Sequence, residues 1–165
     1  MKLSADGLFL VALAKGDLAA AARVMEILQK FNAVDRGSRG YSRRLLFYQG
    51  RLDLLAGRST EAITNLKEAL KHRALTWDVD PLEDCLANAY LELGYLDEAI
   101  AEYERILKLN SNYPLVHYHL GQAYERKGQN AQARESYQRF LHVWKEADDY
   151  IPEVIAAKKA VAIQT

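Results

Sequence analysis

Residues 80–113 read DPLEDCLANAYLELGYLDEAIAEYERILKLNSNY, and residues 114–147 read PLVHYHLGQAYERKGQNAQARESYQRFLHVWKEA. These 34-residue segments are copies of one unit, because eight positions match when they are aligned without a gap. A fixed period of about 20 to 50 residues indicates stacked structural modules. Most matched residues are small or apolar, so the repeat preserves packing positions: Leu86/Leu120, Ala89/Ala123, Tyr90/Tyr124, Gly94/Gly128, Ala99/Ala133, Tyr103/Tyr137, Arg105/Arg139 and Leu107/Leu141.

Each unit is predicted to form two helices. Its apolar residues recur at intervals of three and four, which places one apolar stripe on each helix. Gly94 and Gly128 fall between the two stripes, where a residue with a left-handed backbone ends a helix. Ala87 and Gly121 are small, as a close crossing of two helices requires. Such a hairpin hides its apolar face only by stacking on a neighbouring hairpin.

The repeated positions resemble the tetratricopeptide repeat (TPR), whose pattern is W-x2-L-G-x2-Y, then A-x3-F, then P. The second unit supplies His117, Leu120, Gly121, Tyr124, Ala133 and Tyr137 at these positions. The first unit supplies Glu83, Leu86, Ala87, Tyr90, Ala99 and Tyr103. Two positions depart from the pattern, because the tryptophan position holds Glu83 or His117 and the final proline position holds Ser111 or Lys145. The resemblance implies an all-α, right-handed superhelical solenoid of helix-turn-helix repeats with a C-terminal capping helix.

A single TPR domain is predicted over residues 1–165. Gly16 and Gly57 mark the turns of two further copies that are less regular than the first pair. Residues 32–40 are polar and contain glycine, so we predict a long loop there. The repeats are expected at about 4–31 (a degenerate copy), 43–76, 80–113 and 114–147, followed by a capping helix at about 151–163.

The composition narrows the class of protein. Lys plus Arg equals Asp plus Glu, which is unlike a general nucleic-acid binder, so no nucleic-acid partner is expected. The lone cysteine, Cys85, excludes an internal disulfide and fits the reducing cytoplasm. The apolar residues 8–14 are interpreted as a helix rather than a secretion signal, since Asp6 precedes them and Lys15 follows. We predict a cytoplasmic protein without a membrane-spanning helix.

No catalytic, metal or cofactor site is predicted. The histidines are His72, His117, His119 and His142. His117 and His119 are two positions apart and point to different sides of a helix, which is unsuited to joint metal ligation. Neither a Cys-x2-Cys or His-Glu-x2-His motif nor a glycine-rich phosphate loop occurs. We therefore predict that the protein is not an enzyme and needs no cofactor.

The resemblance also implies where a partner binds. In the TPR family, positions 2, 5, 9 and 12 of each repeat face a concave groove. The predicted partner-binding residues are therefore Arg44, Phe47, Arg51, Asp84, Asn88, Tyr118, Gln122 and Glu125. Their mixture of charged, amide and aromatic side chains suits an extended peptide or a helix rather than a small metabolite.

An arginine-rich segment has two interpretations. It contains Arg36, Arg39, Arg43, Arg44, Arg51 and Arg58, set against Asp35 and Asp53. The favoured interpretation is a solvated loop and helix face. The alternative is an anionic docking site for an acidic peptide, a phosphopeptide or a nucleic-acid backbone.

The preferred function is a non-catalytic protein-interaction scaffold that binds a peptide or helix of another protein. The alternative is a regulatory or self-association module cut from a larger bacterial signalling protein. It is suggested by residues 137–152, which loosely resemble the C-terminal repeats of bacterial multidomain regulators such as serine/threonine kinases. Leu8, Leu10 and Val11 at the N-terminal edge make a homo-oligomer a further possibility.

Overall fold

The computed structural model describes residues 4–34, 39–71 and 83–163, and all regular structure in those ranges is helical. This confirms the predicted all-α class. The helices are α1 (Ala5–Ala14), α2 (Leu18–Val34), α3 (Arg39–Leu55), α4 (Ser59–Lys71), α5 (Cys85–Leu93), α6 (Leu96–Leu109), α7 (Pro114–Arg126), α8 (Asn130–Val143) and α9 (Pro152–Ile163). Pro114 starts α7, where its missing backbone N–H is not needed.

A left-handed glycine separates the two helices of every pair. The φ angles are +68° at Gly16, +74° at Gly57, +80° at Gly94 and +77° at Gly128. The residue after each glycine donates its backbone N–H to the carbonyl five residues earlier, as Gln129 does to Tyr124 at 2.9 Å. These bonds satisfy carbonyls that the ending helix leaves without an intrahelical partner. The predicted turn positions are confirmed at all four sites.

Replacing Gly128 by alanine isolates the backbone cost of this conformation. A Cβ atom at Gly128 meets nothing within 4 Å, so the substitution introduces no clash. We expect Gly128→Ala to lower the free energy of unfolding by about 1 kcal/mol, because a side chain makes the left-handed region costly. Gly128→Asn is expected to cost less, since asparagine tolerates this region. Equal stability of all three proteins in urea denaturation would contradict the expectation.

The chain divides into two compact units, Met1–Cys85 and Leu86–Thr165. The first unit contains α1 to α4. Its core is formed by Phe9, Ala12, Ala21, Met25, Leu28, Tyr48 and Leu52. Helices α3 and α4 cross at Gly50, where a Cβ atom would lie 2.7 Å from Cγ of Leu66. Only glycine allows the backbones to approach this closely.

The second unit contains the repeated pair of hairpins and α9. Helices α7 and α8 cross at Gly121, where a Cβ atom would lie 2.7 Å from the Tyr137 ring. The last helix covers the apolar flank of α8 with Val154 and Ala157, which fulfils the role expected of a capping helix. Of the four tyrosines at repeated positions, Tyr90, Tyr103 and Tyr137 are buried and Tyr124 is half-buried.

The predicted long loop at residues 32–40 is wrong at both ends. Helix α2 continues to Val34, and α3 already begins at Arg39. Neither glycine nor proline occurs between the start of α2 and Gly37, and Asn or Val costs a helix less than about 0.7 kcal/mol. Helix α2 therefore continues through residues 32–34. The predicted helix start at Asp80 and Pro81 lies outside the described residues, as does Trp77.

Candidate functional site

The polar side chains on one surface of the second unit are joined by hydrogen bonds. On α7, Nε2 of Gln122 donates to the Tyr118 hydroxyl at 3.3 Å, and Nδ1 of His119 lies 3.0 Å from Oε1 of Gln122. This places Tyr118 and Gln122, two of the predicted partner-binding residues, in contact. We call the set that hydrogen bonds and ring contacts together connect the polar array; it comprises Asn88, Tyr103, Tyr118, His119, Gln122, Glu125 and Tyr137.

The buried tyrosines of α6 and α8 hold the other members of the polar array. Tyr103 donates its hydroxyl to Oδ1 of Asn88 at 2.7 Å, and Tyr137 donates to Oε2 of Glu125 at 2.8 Å. Tyr103 and Tyr137 occupy the same position in successive repeats. Three of the predicted groove positions in this unit, those of Asn88, Gln122 and Glu125, therefore have side chains fixed by a neighbour.

Ring contacts link members of the polar array to one another and to Phe140. The ring centroid of Tyr118 lies 5.3 Å from that of Phe140 and 5.8 Å from that of Tyr137. The His119 ring stacks on Tyr103 at 6.1 Å with an interplanar angle of 19°. These distances are typical of favourable aromatic pairs, so the rings support the orientation of the hydrogen-bonding groups.

Burial and nearby carboxylates raise the pKa of three tyrosines. Burial is the main cause at Tyr137, where the hydrogen bond to Glu125 raises the pKa further. Burial also raises the pKa of Tyr118, and the negative charges of Glu153 and Glu125 raise it further. Burial and a hydrogen bond to a glutamate raise the pKa of Tyr124 to about 12. The phenols of Tyr118 and Tyr137 therefore remain neutral at physiological pH.

The raised pKa of Tyr137 predicts a loss of stability in alkali. The unfolded phenol ionises near pH 10, whereas the folded phenol keeps its proton to higher pH. The stabilisation is fully present below about pH 10 and is lost as the pH rises above it, because the unfolded state then loses its proton first. Urea denaturation across this range should show a shallower alkaline loss for Tyr137→Phe than for the unchanged protein. Tyr150→Phe, at an exposed position, is the control and should keep the original profile.

The first unit places its predicted partner-binding residues in a different setting. Nη1 of Arg44 lies 3.3 Å from Oδ2 of Asp6, and the Tyr48 hydroxyl donates to the other oxygen of Asp6 at 2.9 Å. The positive charge of Arg44 is therefore offset by a carboxylate of α1. Phe47 is half-buried and packs against the core of this unit. Arg51 is also half-buried.

Asp53 was not predicted as a functional or structural centre, yet it organises the second hairpin. Its carboxylate accepts hydrogen bonds from Gln49 at 3.0 Å, from Asn65 at 2.8 Å and from Arg58 at 2.6 and 3.0 Å. Only 2% of Asp53 is exposed. The sequence signal for this centre is the spacing of Asp53 and Arg58 across the turn at Gly57; from the sequence, both residues are assigned only to the arginine-rich segment.

One predicted groove residue and one arginine of the arginine-rich segment are less accessible than a binding role requires. Asp84 is 9% exposed, so its carboxylate is largely withdrawn from solvent. Arg43, from the arginine-rich segment, is 4% exposed. Arg36 and the side chain of Arg39 lie outside the described residues. The described part of this segment thus contains buried and carboxylate-paired arginines rather than a continuous cationic surface.

Residues 4–34, 39–71 and 83–163 contain neither a metal-ligand cluster nor a membrane-spanning helix. No cluster of three or more His, Cys, Asp or Glu side chains there is arranged to hold a metal ion. Within the same ranges, none of the helices combines the length and apolar character needed to cross a bilayer.

The chain is similar to known repeat proteins. Two family profiles match the second half of the chain, one described as TPR repeat over residues 87–128 and one as tetratricopeptide repeat over residues 116–146. This chain is also similar to photosystem I assembly protein Ycf3 from two strains of Prochlorococcus marinus, MIT 9303 and MIT 9313. Each is 31% identical over 121 residues, which cover 68% of this chain and 68% of the relative.

Solved structures share the fold at lower identity. TPR-like repeats from Podosopora anserina superpose with a TM-score of 0.73 at 18% identity, over 97% of this chain and 82% of that chain. MamA gives a TM-score of 0.65 at 20% identity, over 99% of this chain and 84% of that chain. The Arabidopsis OM64 TPR domain gives 0.63 at 14% identity, over 78% of this chain and all of that chain. The left-handed turn glycines, the paired helices, the matching profiles and the 31% identical relatives together place this chain in the tetratricopeptide repeat family.

Proposed function

We propose that this protein is a non-catalytic scaffold that binds an extended peptide or a helix of another protein on the polar array. The hydrogen-bonded positions of Asn88, Gln122 and Glu125 carry the proposal. Ordering a rotamer-rich side chain on binding costs about 0.5–1.5 kcal/mol. Side chains that are already fixed avoid much of this cost, so a preformed array favours recognition without rearrangement.

The chemistry of the polar array suits a peptide backbone. Its amides and phenols supply both donors and acceptors, and Tyr118 adds aromatic contact area. Tyr118 and Gln122 are half-buried, which leaves part of each side chain accessible to a partner. Glu125 is exposed and adds a negative charge at one end. A partner segment with amide groups and a basic residue complements these features.

Selection from a displayed peptide library tests this proposal. Peptides recovered on the unchanged protein are measured by calorimetry against Tyr118→Ala and Gln122→Ala. We expect each variant to weaken binding about tenfold or more, as truncation of a central aromatic or hydrogen-bonding contact does. Gln138→Ala, at an exposed position of α8 outside the polar array, is the control. Equal affinities for all four proteins would contradict the proposal.

The arginines of the first unit offer a separate test of partner charge. Arg44→Glu and Arg51→Glu reverse charge at two predicted groove positions. We expect both variants to weaken the binding of a peptide that carries an acidic residue, because each replaces a positive charge by a negative one. Arg23→Glu, at an exposed site on α2, makes the same charge change elsewhere and serves as the control. If Arg23→Glu weakens peptide binding as much as Arg51→Glu, the effect is one of net charge and these positions are not specific contacts.

The relatives suggest the type of partner. Two curated relatives are named photosystem I assembly proteins. We extend this to the proposal that the partner of this protein is a subunit of a multiprotein complex, held during assembly. Co-purification in the source organism, followed by identification of the bound chains, tests this. Recovery of partners that belong to no common complex would argue against it.

Self-association is the second candidate function, within a regulatory module or alone. Leu8, Leu10 and Val11 on α1 are 47%, 49% and 41% exposed, which leaves apolar surface at the N-terminal edge. Sedimentation at several concentrations should show a dimer that Leu10→Glu abolishes. A monomer at all concentrations would remove this candidate.

A kinase or DNA-binding domain in the same reading frame would support a regulatory role within a larger bacterial signalling protein. Cytoplasmic location remains part of the proposal.

A further inference from the structure

A pocket of about 420 Å³ opens between α6, α7 and α8 in the second unit. Leu107, Leu120 and Tyr124 contribute its apolar walls. On α8 the lining residues run from Gln132 to Arg139, which is two helical turns or about 10 Å. None of the residues of the polar array lines the pocket, so it is a separate feature of the surface.

Helices α6 and α8 run in the same direction along the pocket, because each is antiparallel to α7. At the start of α7, Nε2 of His117 lies 2.8 Å from the carbonyl oxygen of Ser111, which follows α6. Near the end of α7, the Tyr124 hydroxyl donates to Glu104 of α6 at 2.9 Å. Helix α7 is therefore antiparallel to α6, and the turn at Gly128 reverses the chain again into α8. The two outer walls of the pocket are thus parallel helices.

Charged side chains give the pocket one acidic and one basic end. Glu104 lies one turn before Lys108 on α6, and Glu135 lies one turn before Arg139 on α8. Because the two helices are parallel, both acids lie toward one end of the pocket and both bases lie toward the other. Burial, the hydrogen bond to Glu104 and the charges of Glu104 and Glu135 raise the pKa of Tyr124, which agrees with both carboxylates lying near its hydroxyl.

All four charged groups are accessible to a partner. Glu104 and Lys108 are exposed. The side chains of Arg139 and Glu135 are 64% and 65% exposed and pair with each other at 3.0 Å. Exposed ion pairs of this kind contribute little to stability, so a partner can exchange this pair for its own at small cost. Tyr124 occupies only Oε1 of Glu104, and a carboxylate accepts through both oxygens.

We propose that the pocket binds an amphipathic helix of a partner protein, which inserts one leucine side chain between the acidic and basic ends. The partner helix runs antiparallel to α6 and α8. An acidic residue four positions before the leucine pairs with Lys108, and a basic residue three positions after the leucine pairs with Glu104. This order also puts the acid nearer the N-terminus of the partner helix and the base nearer its C-terminus, as the helix dipole favours.

The length of the pocket favours a helix over an extended segment. Residues seven apart on a helix lie on one face and about 10 Å apart, which matches the distance between the two ends. In an extended segment, residues on one face are about 7 or 13 Å apart, so neither spacing places both charges at the ends. Leucine contributes apolar surface to the walls formed by Leu107 and Leu120 and carries no polar atom that needs a partner. This surface is distinct from the polar array, so it binds its partner whether or not the array binds a peptide.

The test uses three helical peptides of eight residues. The acid-first peptide is acetyl-Glu-Ala-X-Ala-Leu-Ala-X-Lys-amide, in which X marks two residues joined by a hydrocarbon staple on the face away from the pocket. The reversed peptide exchanges Glu and Lys, and the leucine-free peptide has Ala in place of Leu. NMR titration of the ¹⁵N-labelled full chain measures the affinities.

We expect the acid-first peptide to bind about tenfold more tightly than either of the other two. The exchange of Glu and Lys turns two attractions into repulsions, and the loss of leucine removes the apolar contact. If either change leaves the affinity as it was, the proposal is overturned.

Charge reversal in the protein identifies the contact. Lys108→Glu should weaken the acid-first peptide and strengthen the reversed peptide, so that the tenfold preference is lost. Lys159→Glu makes the same charge change at an exposed site of α9 outside the lining and should keep the preference. A preference that persists in Lys108→Glu would overturn the proposal.

Two matched variants locate the binding site. Gln132→Trp places a large side chain at an exposed lining residue, and we expect it to abolish binding of the acid-first peptide. Gln138→Trp makes the same change on an exposed part of α8 outside the lining and should leave binding unchanged. Neither variant replaces a buried residue, so both keep the fold.

Two further outcomes separate this proposal from its alternatives. If Gln132→Trp has no effect and Tyr118→Ala abolishes binding, the acid-first peptide occupies the polar array, and the pocket proposal fails while the array proposal stands. Acetyl-leucine amide that binds as tightly as the acid-first peptide would assign the pocket to a small apolar ligand and would overturn the assignment to a partner helix.

Discussion

Gly121→Val is expected to lower the free energy of unfolding by about 3 kcal/mol, the upper part of the range for overpacked cores. A Cβ atom at this position would lie 2.7 Å from Cε1 and 2.8 Å from Cδ1 of Tyr137. The ring has little room to move, because Tyr137 is 3% exposed and its hydroxyl is bonded to Glu125. The two helices must therefore separate or the hydrogen bond must break.

A graded series makes this prediction specific. Gly121→Ala should cost less than the valine variant, since one methyl group clashes less and alanine favours the helix by about 1 kcal/mol over glycine. Ala131→Val, at an exposed site of α8, adds a similar side chain without a clash and should stay within about 0.5 kcal/mol. Native-state hydrogen exchange of the α7 and α8 amides measures the effect. Unchanged protection in Gly121→Val would mean that the close crossing is not needed.

Asp53→Ala is expected to cost about 3 kcal/mol, because the substitution removes several charge-assisted hydrogen bonds at once. The carboxylate holds Arg58 in the turn, Asn65 on α4 and Gln49 on α3. Its removal leaves the half-buried amides of Asn65 and Gln49 without this partner. The hairpin of α3 and α4 therefore loses the polar group that joins its helices to its turn.

The controls for Asp53 separate charge from shape. Asp53→Asn keeps the shape but replaces an acceptor oxygen with a donor, so we expect an intermediate loss. Glu61→Ala, at an exposed site in the first turn of α4, removes one carboxylate from the same hairpin and should have a small effect. Urea denaturation together with hydrogen exchange of the α3 and α4 amides provides the measurement. A loss no larger than that of Glu61→Ala would refute a central role for Asp53.

The turn and crossing positions of the helices were predictable from the sequence, because each requires glycine or another small residue. A residue with φ near +77°, as at Gly128, is nearly restricted to glycine, so the turn positions were visible at a fixed period. The crossing at Gly121 was predictable for a different reason. A close approach of two helices needs a small residue, and the aligned position in the other repeat holds Ala87. The end of α2 at Val34 was not predictable, because residues 32–34 contain neither glycine nor proline and such residues do not stop a helix.

The site was less predictable, because hydrogen-bond partners are set by packing between helices. Repeat positions identified Asn88 and Glu125, but not that buried tyrosines on α6 and α8 would hold them. Asp84 was assigned to an accessible groove position, yet it is buried. The sequence places a residue on a helix face, whereas its burial depends on what the next helix covers.

The hydroxyls of Tyr103 and Tyr137 limit how the repeats of this protein can be recombined in an artificial array. Tyr103 reaches an acceptor 15 residues earlier, Asn88, whereas Tyr137 reaches one 12 residues earlier, Glu125. Each hairpin thus contains both the buried tyrosine hydroxyl and the acceptor for it. An artificial array built by transplanting whole hairpins would preserve both hydrogen bonds. An array that combined Leu91 at the Glu125 position with Gln122 at the Asn88 position would contain neither of the observed acceptors, and the buried tyrosine hydroxyl would lose its partner in every copy.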